Sequence, residues 1–239
     1  MVRADGRLPD ELRPLTITAG YLPHAEGSAL IELGKTVVVC AVTMEDRVPP
    51  FLRGSGRGWV TAEYGMLPRS TLTRTPRDRS ATSGRTHEIQ RLIGRSLRAV
   101  SRLELLGERT FIIDCDVIQA DGGTRGAAIT GAYVALRQAF ERRASPRFSD
   151  FPLRTNVAAV SVGLVEQMPL LDLNYEEDSR ADVDFNIVMT GEGELAEVQG
   201  SAERRCFSHA AMNELLDLAE AGIRSLFDQQ AQALGAVKL

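Results

Sequence analysis

Alternation of apolar and polar positions opens the chain. Leu15 to Tyr21, Ser28 to Leu33 and Thr36 to Met44 each follow the two-residue period of a half-buried strand, and Gly34-Lys35 supplies a tight turn between the last two. An antiparallel meander is expected first. Gly58 to Met66 reads as a further strand. Leu67 to Gly84, rich in proline, arginine, serine and threonine, has no apolar period and is expected to be a long exposed loop. The period then becomes helical over Thr86 to Leu106, with Ile89, Ile93, Leu97 and Val100 on one face and Arg91, Arg95, Arg98 and Arg102 on another. Thr110 to Gln119 alternates again as a strand. It runs into Ala120-Asp121-Gly122-Gly123-Thr124-Arg125-Gly126, and Ala127 to Arg143 follows as a helix. Further on, the apolar runs Val157 to Val165 and Phe185 to Met189 enclose an acidic segment, Asp172 to Asp184.

A chain of 239 residues with 44% apolar and 25% charged side chains has the length and content for a sizeable core. We expect a single domain over residues 1–239 in two halves, about 10–145 and about 155–230. The start, Met1-Val2-Arg3-Ala4-Asp5-Gly6-Arg7, lacks the apolar stretch of a secretory signal, so a cytoplasmic address and no membrane partner are expected. Cys40 and Cys115 fall in strand-like runs and no C-x-x-C pair occurs, which reads as buried free thiols. His24, His87 and His209 lie too far apart to suggest a zinc site.

Charge changes the picture through its distribution. From Arg53 to Arg102 there are eleven arginines against Glu63, Asp78 and Glu88, while from Glu166 to Glu197 ten acids face only Arg180, within a net charge of −4. The planar fork of arginine suits phosphate oxygens, although a genomic preference for arginine gives the same count. The basic stripe of the Thr86 helix is open to two readings, a face that serves binding or a face that is solvated or salt-bridged to a neighbouring subunit. The unstructured stretch carries Arg69, Arg74, Arg77 and Arg79 and is read as an RNA-contacting segment.

Two segments carry chemistry. The glycine turn before the Ala127 helix places unpaired backbone N–H groups where an anion can approach, with Arg125 as the cation; glycine-rich turns also arise for backbone geometry alone. It is neither a P-loop nor a dinucleotide fingerprint. The carboxylates between Asp172 and Asp184 suit Mg²⁺, which takes one or two carboxylates and keeps its waters, or they form an acidic surface turn.

The wording of several blocks closely resembles the RNase PH family along almost the whole chain. They are Arg3-Ala4-Asp5-Gly6-Arg7, Leu12-Arg13-Pro14-Leu15-Thr16-Ile17-Thr18, His24-Ala25-Glu26-Gly27-Ser28, and the run from Gly58-Trp59-Val60-Thr61 through Arg69. Gly84-Arg85-Thr86-His87-Glu88-Ile89-Gln90, Asp114 through Arg125, Glu177-Asp178-Ser179 through Asp184, and Glu197-Val198-Gln199-Gly200-Ser201 complete the match. The resemblance implies an α+β fold of two βαβ-containing halves with mixed sheets and packed helices. It implies a phosphate-dependent tRNA nucleotidyltransferase: a phosphorolytic 3′→5′ exoribonuclease that trims tRNA precursors and other RNAs, releases nucleoside diphosphates and can run in reverse. Phosphate, the co-substrate, is implied to bind at Arg85, Gly123, Thr124 and Arg125. Asp178 and Asp184 are implied as catalytic carboxylates and as ligands of Mg²⁺ or Mn²⁺, with Asp182 in support, and Arg69, Arg74 and Arg77 as contacts to the tRNA body. A homohexamer built as a trimer of dimers is implied as well. Two departures stand out: His87 replaces a common methionine, and Gly126-Ala127-Ala128 replaces hydroxyl-bearing residues, from which an altered phosphate affinity is expected. The alternatives are a catalytically silent RNA-binding ring subunit and a kinase-like nucleotide binder, the latter opposed by the missing P-loop lysine.

Overall fold

The computed structural model describes residues 3–76, 84–147 and 150–235. Strands β1 (Leu15–Ala19), β2 (Gly27–Leu33) and β3 (Thr36–Glu45) form the expected meander, with Leu33 paired to Thr36 across the two-residue turn. β4 (Trp59–Met66) and β5 (Thr110–Gln119) complete a five-stranded sheet of order β1-β2-β3-β5-β4. β4 and β5 run parallel, because helix α1 (Gly84–Val100) returns the chain between them. The second sheet contains β6 (Val157–Val165), β7 (Met168–Leu171), β8 (Val183–Thr190) and β9 (Leu195–Ala202) in the order β7-β6-β8-β9. β7 and β8 both run antiparallel to β6, so they point the same way, and the short helix α3 (Tyr175–Asp178) lies in the connection between them.

Helix α2 (Thr124–Arg147) joins the two halves. Its residues Ala127, Ala128, Ile129, Ala132, Val134, Ala135, Leu136, Ala139 and Phe140 are almost fully buried, as befits a helix that packs on β2 and β3 on one side and on β6 on another. The approach to β2 is close enough that a Cβ on Gly27 would lie 2.1 Å from the Ala135 carbonyl oxygen. Phe111 of β5 meets Phe140 of α2 edge-to-face at 4.8 Å, and burying side chains of this size contributes roughly 1.5–3 kcal/mol each. Helix α4 (His209–Gly235) covers the second sheet with Leu215, Ala219, Ile223 and Leu226. Those positions recur at helical spacing, so the sequence contains the signal for α4 although no element was expected there. No helix of the described residues is long and apolar enough to cross a membrane.

Three expectations change. The first helix ends at Val100 and not at Leu106: Arg102 N–H donates to the Pro152 carbonyl at 2.8 Å, Arg154 N–H to that of Val100 at 2.8 Å, and the chain leaves the helix to bridge Leu153. The basic stripe is largely consumed within the fold. Arg95 pairs with Glu197 at 2.8 Å, Arg98 donates to the Val60 carbonyl at 2.8 Å and lies 4.3 Å over the Trp59 ring, and Arg102 pairs with Asp150. Arg95 and Arg102 are therefore ion-paired within the chain itself, while Arg98 is taken up by a carbonyl and an aromatic face. The loop after β4 is tethered at its foot, where Leu67 N–H donates to the Val117 carbonyl at 3.0 Å and Ala120 N–H to that of Ser70 at 2.9 Å. The reason is that residues 67–70 continue the path of β4 alongside the end of β5.

The acidic segment is divided between structure and site. Residues 3–13 lie across it as a strap: Arg3 Nε and Nη2 each donate to the Glu177 carboxylate at 2.8 Å, and Arg13 grips Asp172 at 2.9 and 2.7 Å. Asp172 and Glu177 are buried, so these charges depend on their guanidinium partners, and removing one partner of such a pair costs about 3–5 kcal/mol.

Candidate functional site

Between β5 and α2 the backbone turns through Gly122 (φ +75) and Gly123 (φ +65), which lie in the left-handed region that favours glycine. Space demands glycine as well. A Cβ on Gly122 would lie 2.6 Å from the Leu173 carbonyl oxygen, and one on Gly123 would lie 2.9 Å from Arg13 Nη2. The carbonyls of the turn are held from behind: Gly122 accepts from Thr36 Oγ1 at 2.7 Å, and Asp121 accepts from Arg13 Nη1. With its oxygens occupied there, the turn leads into the first amides of α2, which have no intrahelical acceptor and carry the positive end of the helix dipole. Thr124 opens the helix and its Oγ1 accepts from Tyr64 at 2.9 Å. Arg125 Nη1 donates to Gln199 Oε1 at 2.8 Å, and Gln199 donates in turn to Glu88.

Two carboxylates approach this turn from the second half. Asn174 caps α3 through a complete capping box with Glu177, and Asp178 closes the helix. Asp184 projects from β8, opposite Gly163 of β6 and Ser201 of β9. Burial, and then the neighbouring Asp178 charge, push the Asp184 carboxyl up to about 6, against the pull of Arg125 and the Asn186 hydrogen bond. Burial also raises Asp178, while Arg125 and Arg85 draw it back. Asp184 Oδ2 accepts from Asn186 at 3.2 Å, whereas the buried Oδ1 has no hydrogen-bond partner among the described residues. Among the described residues no group of three or more His, Cys, Asp or Glu could enclose a metal ion. A carboxylate pair with an unpartnered buried oxygen instead fits a hard cation that keeps its waters, such as Mg²⁺ or Mn²⁺.

The glycine turn and the carboxylates open onto one cleft of ≈ 470 Å³, lined by Arg85, Gly123, Thr124, Arg125, Asp178 and Asp184 together. Six of the expected site residues thus meet in one place. Arg69 and Arg74 are exposed and stand outside the lining, and Arg77, like Arg79, lies outside the described residues. Asp182 is not part of the lining either. Ala127 and Ala128 are buried, and a Cβ on Gly126 would lie 3.0 Å from the Ala159 carbonyl oxygen. The missing hydroxyls would therefore sit against the core and not in the cleft, which removes the reason for expecting an altered phosphate affinity. Ser161, Asn186, Tyr64 and Tyr175 also line the cleft and were not expected. Periodicity assigns Tyr64 and Ser161 to strands but does not say which strand end faces the turn.

Family models for the 3′ exoribonuclease family match residues 11–140 (domain 1) and 155–222 (domain 2). Ribonuclease PH of Bacillus cereus strain AH187 is 59% identical over 240 residues, which cover 99% of this chain and 98% of that protein. Among solved structures, a chain of the Archaeoglobus fulgidus exosome with RNA bound to the active site superposes with a TM-score of 0.82 at 26% identity, covering 95% of this chain and 92% of that one. Rice Rrp46 superposes with a TM-score of 0.79 over 97% of this chain and 100% of its own, and at 20% identity this is a likeness of fold. The chain belongs to the RNase PH family of 3′ exoribonucleases.

Proposed function

We propose that the chain is a phosphate-dependent tRNA nucleotidyltransferase, which shortens RNA from its 3′ end by phosphorolysis, and that the cleft at the start of α2 is where phosphate meets the RNA terminus. The observation that carries this reading is the convergence of Arg85, Thr124 and Arg125 with Asp178 and Asp184 on one ≈ 470 Å³ cleft. Inorganic phosphate is bound by the α2 amides, the Thr124 hydroxyl and the two guanidinium groups. These groups offset the repulsion between a phosphate anion and an anionic phosphodiester, which is the main obstacle to reaction in a cleft partly cleared of water. A phosphate oxygen attacks the terminal phosphorus, the bond from phosphorus to the penultimate 3′-oxygen breaks, and the products are a nucleoside diphosphate and RNA shorter by one residue. The departing oxygen takes its proton from the carboxyl pair or from a water that the pair orients. Asp178 and Asp184 would hold a divalent cation, which supplies further neutralisation of the phosphoryl oxygens. Since an ester linkage is exchanged for a diphosphate linkage, excess nucleoside diphosphate drives extension.

The same reading includes a cytoplasmic address, which the buried thiols of Cys40 and Cys115 suit, and a homohexamer built as a trimer of dimers. Likeness to an exosome chain supports assembly, and a common face presenting Arg69 and Arg74 from every protomer gives avidity for a folded tRNA. Light scattering that returned a monomer would remove this part.

The activity is tested by incubating the protein with a 3′-tailed tRNA and Mg²⁺, with and without inorganic phosphate. Release of nucleoside diphosphates only when phosphate is present is expected, and it should be lost in Arg85→Ala and Arg125→Ala. Phosphate-independent release of monophosphates would make the protein a hydrolase, and no release at all would leave a silent RNA-binding subunit.

A further inference from the structure

The cleft contains an aromatic ring that the fold itself does not employ. Tyr175, the first residue of α3, lines the cleft and is 60% exposed, whereas Tyr64 in the same lining is 6% exposed and bonded to Thr124. The Tyr175 phenol has neither a hydrogen bond nor a ring partner among the described residues. Its backbone is nonetheless firmly placed. The N–H donates to Asp121 Oδ1 at 3.3 Å, the adjacent Asn174 caps the helix, and a Cβ on Gly122 would lie 2.9 Å from the Tyr175 nitrogen. Asp178 follows three residues later, which puts it on the same side of the helical turn. Tyr175 therefore follows the backbone that abuts the glycine turn, precedes Asp178 by three residues, and shares the cleft lining with both.

We infer that Tyr175 is a stacking platform for the base of the 3′-terminal nucleotide, the one released as a diphosphate. The inference rests on the phosphorolytic reading of the cleft. If phosphate occupies the turn and the pair acts on the departing oxygen, the phosphorus under attack lies between them. The nucleoside it carries is then beside the residue that adjoins both. A flat ring suits an exonuclease, because every base has a π face and stacking tolerates changes of sequence. Hydrogen bonds to base edges would instead restrict which nucleotides are removed.

The reverse reaction tests this directly, because the nucleoside diphosphate is then a separate substrate with its own KM. Full-length protein is given a tRNA acceptor, Mg²⁺ and either ADP or UDP, and the forward reaction is run alongside with phosphate as the varied substrate. Tyr175→Ala is expected to raise KM for ADP about tenfold, by the loss of one base-aromatic stack, and to raise that for UDP less. KM for phosphate should stay within about twofold, since the turn is untouched. Tyr175→Phe and Tyr175→Trp should keep the wild-type KM for ADP, and Tyr175→Leu should not. An unchanged KM for ADP in the alanine variant overturns the inference. So does a parallel rise in KM for phosphate, which would mean that the side chain acts by supporting the turn. Failure of the wild-type protein to extend RNA from ADP, or to release diphosphates from it, would overturn the phosphorolytic reading itself, an outcome distinct from both.

Discussion

Gln199 on β9 accepts a hydrogen bond of 2.8 Å from Nη1 of Arg125 on α2, so a residue of the second half fixes a guanidinium at the helix start of the first. Glu88 on α1 holds the other end of the Gln199 amide. Arg125 is aimed by this chain of hydrogen bonds as well as by its own backbone. Replacing Gln199 with leucine removes a hydrogen bond to a charged group, worth about 1.5 kcal/mol. We expect KM for phosphate to rise about tenfold, while kcat at saturating phosphate stays within about twofold. Phosphorolysis of a tailed tRNA at varied phosphate measures both. An unchanged KM would show that Arg125 is placed without help from β9.

Much of this arrangement is legible in the sequence, and the reasons differ between residues. The strand, glycine turn and helix from Thr110 to Arg143 could be read because the period changes from two to about 3.6 with glycines at the change. The pairing of Gln199 with Arg125, 74 residues apart, could not, since no local pattern records which strand end meets which helix start. The acidic segment misled in part for a related reason. Asp172 and Glu177 stand in the same carboxylate-rich run as Asp178 and Asp184, and the partners that set them apart, Arg3, Arg7 and Arg13, lie at the other end of the chain. In the same way the arginine-rich stretch from Arg53 to Arg102 and the acid-rich stretch from Glu166 to Glu197 meet through Arg95 and Glu197, so the separation of charge along the sequence is partly neutralised in space.

Gly122 combines a left-handed backbone with a neighbour 2.6 Å from the position of a Cβ, and that neighbour is the backbone oxygen of Leu173. Neither problem can be relieved by a rotamer change. Gly122→Ala is expected to lower stability by roughly 2–4 kcal/mol in chemical denaturation, through strain and through displacement of the segment from Leu173 to Tyr175. Gly84→Ala is the control: nothing lies within 4 Å of its Cβ position, and it should remain within about 0.5 kcal/mol of the parent. Equal stability of the two variants would mean that the turn relaxes without cost.

Arg69 and Arg74 are exposed and lie outside the cleft lining, so their effect should appear with a folded RNA and not with the chemistry. Guanidinium groups that meet backbone phosphates position RNA without reading its sequence. The double variant Arg69→Ala, Arg74→Ala should bind a tailed tRNA more weakly, and the slope of log K against log salt should become shallower by about one for each phosphate that is no longer neutralised. Turnover of a short single-stranded oligonucleotide should be unaffected. A slope identical to that of the parent, measured by filter binding across a salt series, would place the tRNA body elsewhere.

Asp184 gives the pH dependence its sign. Its carboxyl is pushed up to about 6, by burial first and by Asp178 second, while an aspartate in the unfolded chain titrates near about 3.9. Between these values the folded chain holds a proton that the unfolded chain has lost. Stability of the metal-free protein should therefore fall as pH rises through this window and remain reduced above it. Asp178, raised by burial, acts in the same direction. Asp184→Asn removes the contribution, and after discounting for partial exposure its advantage over the parent should grow from near zero at acid pH to about 2 kcal/mol at about pH 8 in the presence of chelator. Mg²⁺ should reverse the order at that pH, since a cation bound only by the folded state stabilises the parent and finds one ligand fewer in the variant. At about pH 5 the cation has to displace a proton and its effect should shrink. Calorimetric melting of both proteins over this range, with chelator and with Mg²⁺, measures each of these effects. A difference between parent and variant that did not change with pH would show that Asp184 is ionised throughout, and that the carboxylate pair is compensated by charge already present in the fold.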